Sequence, residues 1–402
     1  MSVALGTIPI LDVDPFSAAS LESPFAVQAA LRDAGPVTWL SRHGCFAVAR
    51  HEDVRKVLID YTSFCSSRGI GLTDFKKNPP YRQPSVILEA DPPLHTATHK
   101  VLAAVLNAGV MNTLRETFAQ AAAALVDRQL SAGPDCDGIA DIAEAFPLAV
   151  FPDAVGLAKA GRAHLLPYGD FVFNSVGPKN EILAKALDAL PPHLDWIMAQ
   201  TKREALSHDG LGAAIYAAAD RGEIAAEHAP LLVRSLLSAG LDTTVNGIAA
   251  ALLCFATAPD QWERLRAERH LARHAFEEAI RLESPVQQFF RTTTRDVEIA
   301  GAVIPEGEKV MVSFAAANRD PRRWDRADEY DIGRNTAGHV GYGAGIHLCV
   351  GMLLARLEGE VMLDALAARV ARIELIGPLI RHHNNSLRGI RTLPLRLHAA
   401  RP

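Results

Sequence analysis

The chain has 402 residues, 49% hydrophobic and only 22% charged, so it can bury a large core and is not a disordered polymer. A formal net charge of −5 lacks the basic excess of a nucleic-acid binder. The five cysteines (Cys45, Cys65, Cys136, Cys254 and Cys349) form no Cys-x-x-Cys pair, which argues against a disulfide framework or a structural zinc site.

The opening Met1-Ser-Val-Ala-Leu-Gly-Thr-Ile-Pro-Ile has no basic region and reaches Asp12 and Asp14 quickly, unlike a secretory leader. Cys45-Phe-Ala-Val48 reads as a strand, and Val101–Leu130 as an alanine- and leucine-rich helix. Leu231–Ala258 contains no proline and predicts a rod of about 42 Å, long enough to cross a domain. Its apolar stretch Gly247–Ala258 falls short of the ~20 residues needed to span a bilayer, so a soluble cytoplasmic protein, without membrane or nucleic-acid partners, is expected. Val297-Glu-Ile299 and Lys309-Val-Met-Val-Ser313 flank a Pro305-Glu-Gly307 turn and predict a hairpin or small sheet. Glu360–Val370 repeats the helical pattern. No linker, charge block or repeat divides the sequence. Mainly α with minor β, in one domain over residues 1–402, is the expected fold class.

The densest signal is Gly341-Tyr342-Gly343-Ala-Gly345-Ile-His347-Leu-Cys349-Val-Gly351. Its glycines exclude a stable helix, yet Met352-Leu-Leu-Ala-Arg-Leu, a strong helix former, follows directly. Cys349 therefore sits near a helix N-terminus, where the dipole and nearby N–H groups favour a thiolate. The segment resembles the haem-binding loop of the cytochromes P-450, Phe-x-x-Gly-x-His/Arg-x-Cys-x-Gly, with Tyr342 in place of the usual phenylalanine. The resemblance implies haem b (iron protoporphyrin IX) ligated by the Cys349 thiolate, between the long central helix and the cysteine loop.

Three further segments carry the same resemblance, and the four motifs span about 260 residues. Ala239-Gly240-Leu241-Asp242-Thr243-Thr244 puts poor helix formers in mid-rod. The family uses this stretch to open the helix over haem, which assigns oxygen-pocket hydrogen bonding to Thr243 and proton relay to Asp242. Glu278-Ala-Ile-Arg281 matches the Glu-x-x-Arg pair, whose charges meet at helical spacing. The usual third partner falls on Glu329, so Arg323 or Arg334 must substitute. Asp91-Pro-Pro-Leu-His95 matches a helix start whose histidine contacts a haem propionate; His99, Arg291 and His347 complete the expected cationic set.

Much of the chain is also similar to bacterial members that oxidise para-substituted benzoates, the para-methoxybenzoate O-demethylases. The similarity lies in Cys65–Phe75, Phe151–Leu157, Leu231–Ile248 and Asn384–Gly389. It implies a carboxylate hole at Arg82, Ser85, Arg234, Ser235 and Ser238, and apolar walls at Leu88, Phe173, Ala239, Val286, Phe289 and Leu387. Val176 replaces a second phenylalanine, which implies a roomier pocket and keeps another small aromatic acid, such as a cinnamate, open. A haem-based sensor would need neither an anion hole nor a proton relay. The chain has no flavin-type Gly-x-Gly-x-x-Gly unit and no iron–sulfur cysteine cluster. Electrons for the reaction with O2 would come from a separate protein; the family resemblance implies a two-iron ferredoxin fed by an NADH-dependent flavin reductase, and the enzyme itself is expected to be a monomer.

Overall fold

The computed structural model describes residues 8–400; Met1–Thr7, where a leader was sought, lie outside them. Helices dominate, and the described strands form four small sheets. Cys45–Val48 is a fully buried strand in the largest of them. It runs parallel to Lys309–Ser313, which pairs antiparallel with Gln288–Thr293. The expected hairpin joining Val297–Ile299 to Lys309–Ser313 does not form. Val297–Ile299 instead turns back onto Ala302–Ile304, through Ala300 (φ 47) and Gly301 (φ 84), both in the left-handed region that a two-residue turn requires. That tight turn outcompetes Pro305-Glu-Gly307 and frees Lys309–Ser313 to enter the central sheet.

The single helix expected over Val101–Leu130 is two. Leu94–Val105 ends at Leu106, and the Asn107 side chain accepts from the N–H groups of Gly109 (2.7 Å) and Val110 (3.2 Å) to start Ala108–Ala132.

The central rod is likewise interrupted, into His228–Ala239 and Asp242–Thr257. Two contacts account for the break. The Thr243 hydroxyl donates to the Ala239 carbonyl at 2.8 Å, a side-chain bond that competes with the helix ladder. A Cβ at Gly240 would lie 2.5 Å from the Phe151 ring, so that ring occupies the space of the missing side chain. Taken together, His228–Thr257 is long and apolar enough to cross a membrane, contrary to the expectation from Gly247–Ala258 alone; 67% of its most apolar window is buried inside the fold.

Glu278 and Arg281, on helix Ala272–Glu283, are both fully buried. They meet in a two-pronged pair at 2.7 and 2.8 Å. Arg281 also donates to the carbonyls of Asn318, Ala327 and Glu329, pinning the segment before the cysteine loop. Arg334 is the third partner, its Nε 2.9 Å from Glu278. Glu329 supplies only its backbone, and Arg323 lies over the Trp324 ring instead. The helix after the cysteine, Met352–Arg369, approaches so closely that a Cβ at Gly359 would sit 2.3 Å from the Phe276 ring.

Two outcomes follow for stability. Replacing Arg281 with Ala strands buried charge and should cost about 3–5 kcal/mol in denaturant unfolding. Glu358, fully buried with both carboxyl oxygens unpartnered, is held by burial well above its ordinary value of 4.5. A carboxyl raised in the folded state ionises first in the unfolded chain, so it lowers stability as pH climbs above that ordinary value. Glu358→Gln should therefore match the parent in acid and unfold at a higher temperature than the parent at about pH 8.

Candidate active site

The cysteine loop folds as its glycines dictate. Gly343 (φ 74) and Gly345 (φ 69) take the left-handed region, and a Cβ at Gly345 would meet the Leu58 carbonyl at 2.5 Å. The Cys349 N–H donates to the Tyr342 carbonyl at 2.9 Å, closing the loop. Cys349 and Gly351 line the large cavity at the centre of the fold, so the sulfur's accessible surface faces that enclosed space. Burial pushes its thiol up, and this outweighs the lowering by the Gly351 N–H, the Arg356 charge and the Met352 N–H. Burial thus opposes the thiolate that the helix start and its N–H groups favour. Tyr342 packs with its hydroxyl buried and unpartnered. Arg356 lies 5.3 Å from its ring centroid and binds Glu277 at 2.6 and 2.8 Å. Burial raises Glu277, but Arg356 and His339 overcome it and bring the carboxyl down to about 2.

On the same cavity, His95, His99, Arg291 and His347 converge. The rings of His95 and His347 are 4.3 Å apart, and those of His95 and His99 are 5.3 Å apart. Arg291 is buried and donates only to the Phe290 carbonyl. The Nε2 atoms of His95 and His347 are buried without partners. Burial, with Arg291, His95 and His99 adding repulsion, drives His347 down to about 2. The buried Arg291 charge without an acid, beside histidine nitrogens without partners, calls for an anionic guest. A haem, with two propionates for this cluster and an iron for the Cys349 sulfur, fits both.

Across the cavity from the loop, the rod's notch contributes Ala239, Gly240, Thr243 and Thr244. Asp242 does not join them. Its carboxyl turns towards helix Leu165–Asn174, where a Cβ on Gly169 would overlap its Oδ2 at 1.8 Å. That oxygen has no partner, and burial, reinforced by Asp170 and Glu144, holds the carboxyl well above the ordinary range. Asp242 thus holds its proton more tightly than an ordinary carboxyl and points away from the cavity, a placement that the motif did not reveal.

The cavity walls include Leu88, Phe173, Val286 and Phe289, as expected. Leu387 is not among them; it bridges to Val286 and lines a separate cleft beside Pro15 and Arg388. A small adjoining enclosure gathers Arg82, Ser85, Arg234, Ser235, Ser238 and Val176, and shares Leu88, Phe173, Ser235, Ala239 and Phe289 with the main cavity. Ser85 Oγ is 3.2 Å from Ser235 Oγ, and Ser238 donates to the Ser235 carbonyl at 3.2 Å. Arg234 is buried and donates to the carbonyls of Gln83 (2.9 Å) and Pro84 (3.0 Å). One lining residue and one residue bonded to the lining escaped the sequence reading. Tyr168 lines the enclosure at 1% exposure, and Glu89 grips Arg82 from seven residues away. A loop contact at that spacing leaves no periodic trace.

The Cytochrome P450 family model matches residues 180–368. Cytochrome p450 CYP199A2 of Rhodopseudomonas palustris is 57% identical over 393 residues, covering 98% of this chain and 95% of that protein. Cytochrome P450 107B1 of Saccharopolyspora erythraea is 33% identical, covering 87% and 88%. The crystal structure of CYP108D1 from Novosphingobium aromaticivorans superposes with a TM-score of 0.83 at 28% identity, covering 98% of this chain and all of that one. Identity at this level over nearly the whole length, on this fold and around this cysteine loop, means that the chain belongs to the cytochrome P450 family and is an O2-dependent haem oxidoreductase.

Proposed function

We infer that the chain is one haem-thiolate domain over residues 1–402 that oxidises para-substituted benzoates, O-demethylation of 4-methoxybenzoate being the representative reaction. The observation that carries this is Arg234. It is a buried cation whose hydrogen-bond partners are carbonyls, beside a serine pair, at the end of an otherwise apolar cavity. A buried charge without an acid is costly until a carboxylate arrives. An aromatic acid satisfies that demand, and its ring fits the walls of Leu88, Phe173, Val286 and Phe289. Val176 favours a cinnamate as the second reading, because the smaller side chain leaves length for a vinyl spacer.

Haem b is the cofactor in this reading. Cys349 would ligate its iron, with Tyr342, Gly343 and Gly351 framing the loop. His95, His99, Arg291 and His347 would hold its propionates. When bound, the haem supplies dioxygen activation and C–H oxidation. The chain's own residues do the rest. Arg234, Ser85 and Ser235 anchor the acid, and the walls aim its para substituent past Ala239 at the Cys349 side of the cavity. Thr243, its hydroxyl proton tied to the Ala239 carbonyl, keeps its oxygen lone pairs for a proton donor. Asp242 is the proton reservoir and reaches Thr243 by turning away from Gly169.

Electrons come from a two-iron ferredoxin served by an NADH-dependent flavin reductase. A groove beside the cysteine loop suits an acidic carrier: Arg55 and Arg273 flank the exposed apolar side chains of Ile59 (50%) and Leu348 (41%).

Titrating the ferric protein with 4-methoxybenzoate should move the Soret band from low to high spin. Its methyl ester should bind about 100-fold more weakly, the loss of roughly 3 kcal/mol of charge-assisted hydrogen bonding. Equal binding of acid and ester would remove the anion hole, and no shift with either would remove the benzoate. Replacing Cys349 with Ala should abolish the carbon-monoxide band of thiolate-bound haem; a surviving band would exclude that ligand.

A further inference from the structure

Among the described residues, Glu89 is the one acid that hydrogen-bonds to the lining of the carboxylate enclosure. Its Oε2 and Oε1 accept from Arg82 at 2.9 and 3.1 Å, and Oε2 also accepts from the Ser85 N–H at 2.8 Å. Its side chain is 4% exposed and that of Arg82 11%, so this is a desolvated pair. Both terminal nitrogens of Arg82 are therefore engaged, while its Nε is buried without a partner. Arg234 has no such acid. Two arginines against one glutamate leave the enclosure a net charge of one positive unit.

We propose that Glu89 is a specificity-determining, positioning residue: by neutralising Arg82 and holding the Ser85 backbone, it sets the charge of the anion hole to accept a monoanion and reject a dianion. This rests on the anion-hole reading of the enclosure. Arg234 then carries the charge that the ligand feels, and Arg82 acts as scaffold. A second negative charge on the ligand would meet Glu89 without a cation to balance it. Tyr168, the other titratable wall, is kept a neutral phenol by burial.

The test uses two head groups of one tetrahedral shape and different charge. At about pH 8.5, 4-methoxybenzenesulfonate is a monoanion and 4-methoxyphenylphosphonate a dianion. Soret titration of the wild-type holoenzyme should show the sulfonate binding at least ~10-fold more tightly. In Glu89→Gln the hole gains one positive unit, and the ratio should swing at least ~10-fold towards the phosphonate. Glu89→Asp, which keeps the charge, should retain the wild-type order. An unchanged ratio in a Glu89→Gln protein that still gives the thiolate carbon-monoxide band would overturn the proposal, as would a wild type that prefers the phosphonate. If Glu89→Gln fails to hold haem, the double variant Arg82→Gln, Glu89→Gln removes the pair without a lone buried charge. Its ratio should stay near that of the wild type; a further swing towards the sulfonate would mean that Arg82 was never neutralised. Failure of the anion-hole reading looks different, because the wild type would then bind 4-methoxybenzoate no better than its ester.

Discussion

Arg281 has no contact with water and every reason to be expelled from the core, yet it ties together three parts of the molecule. Its charge is matched by Glu278, and its remaining donors reach the carbonyls of Asn318, Ala327 and Glu329. The segment leading to the cysteine is thereby fixed to helix Ala272–Glu283. The cysteine loop then follows over a short distance, with Asn318 receiving the Val340 N–H at 2.8 Å. Position of the sulfur, depth of the cavity and direction of the following helix all descend from this buried ionic joint. Such a joint is a poor source of net stability, since desolvation offsets much of the Coulombic gain. What it provides is a single arrangement of three chain segments.

The molecule treats its other buried cations differently. Arg82 and Arg356 have resident acids, Glu89 and Glu277. Arg291 and Arg234 have none, and both face the connected cavities. Arg32 and Lys309 are also buried without an acid, but they line neither cavity and donate to backbone carbonyls, so an unpaired buried charge does not by itself mark a site. The distinction is visible only when the full set of partners is counted. In sequence Arg281 already stands beside its acid, whereas nothing near Arg291 or Arg234 along the chain shows that their charges stay unpaired.

Much of the site was readable because its residues are contiguous. The loop from Gly341 to Gly351 compresses sulfur, glycine turns and one histidine into eleven positions. The central notch was readable because Gly240 and Thr243 contradict their helical context. Where contacts join distant or irregular segments, the sequence was silent. Glu89 and Tyr168 carry no periodicity that would link them to Ser235. Asp242 is adjacent to Thr243 in sequence, but a helix rotates neighbours by about 100°, so the two side chains face different elements. The strand pairing failed for a related reason. Pro305-Glu-Gly307 looks like a turn and is one, but the backbone freedom at Gly301 made an earlier reversal tighter. Leu387 shows the limit of transferring a wall residue by similarity, because a one-sided bridge to Val286 directs it into another cleft.

The seat of Phe151 in the space at Gly240 links two properties that a protein engineer would wish to vary separately. Any side chain at position 240 would have to push an aromatic ring out of the core before it altered the cavity, so cavity shape and core packing cannot drift independently there. Val176 is buried too, but it lines the small enclosure from the turn after its helix, where a change of side chain alters that space directly. Laboratory selection for altered substrates should therefore accumulate changes at 176 while glycine at 240 persists, and the rod's interruption would outlast many rounds of change in what the enzyme consumes.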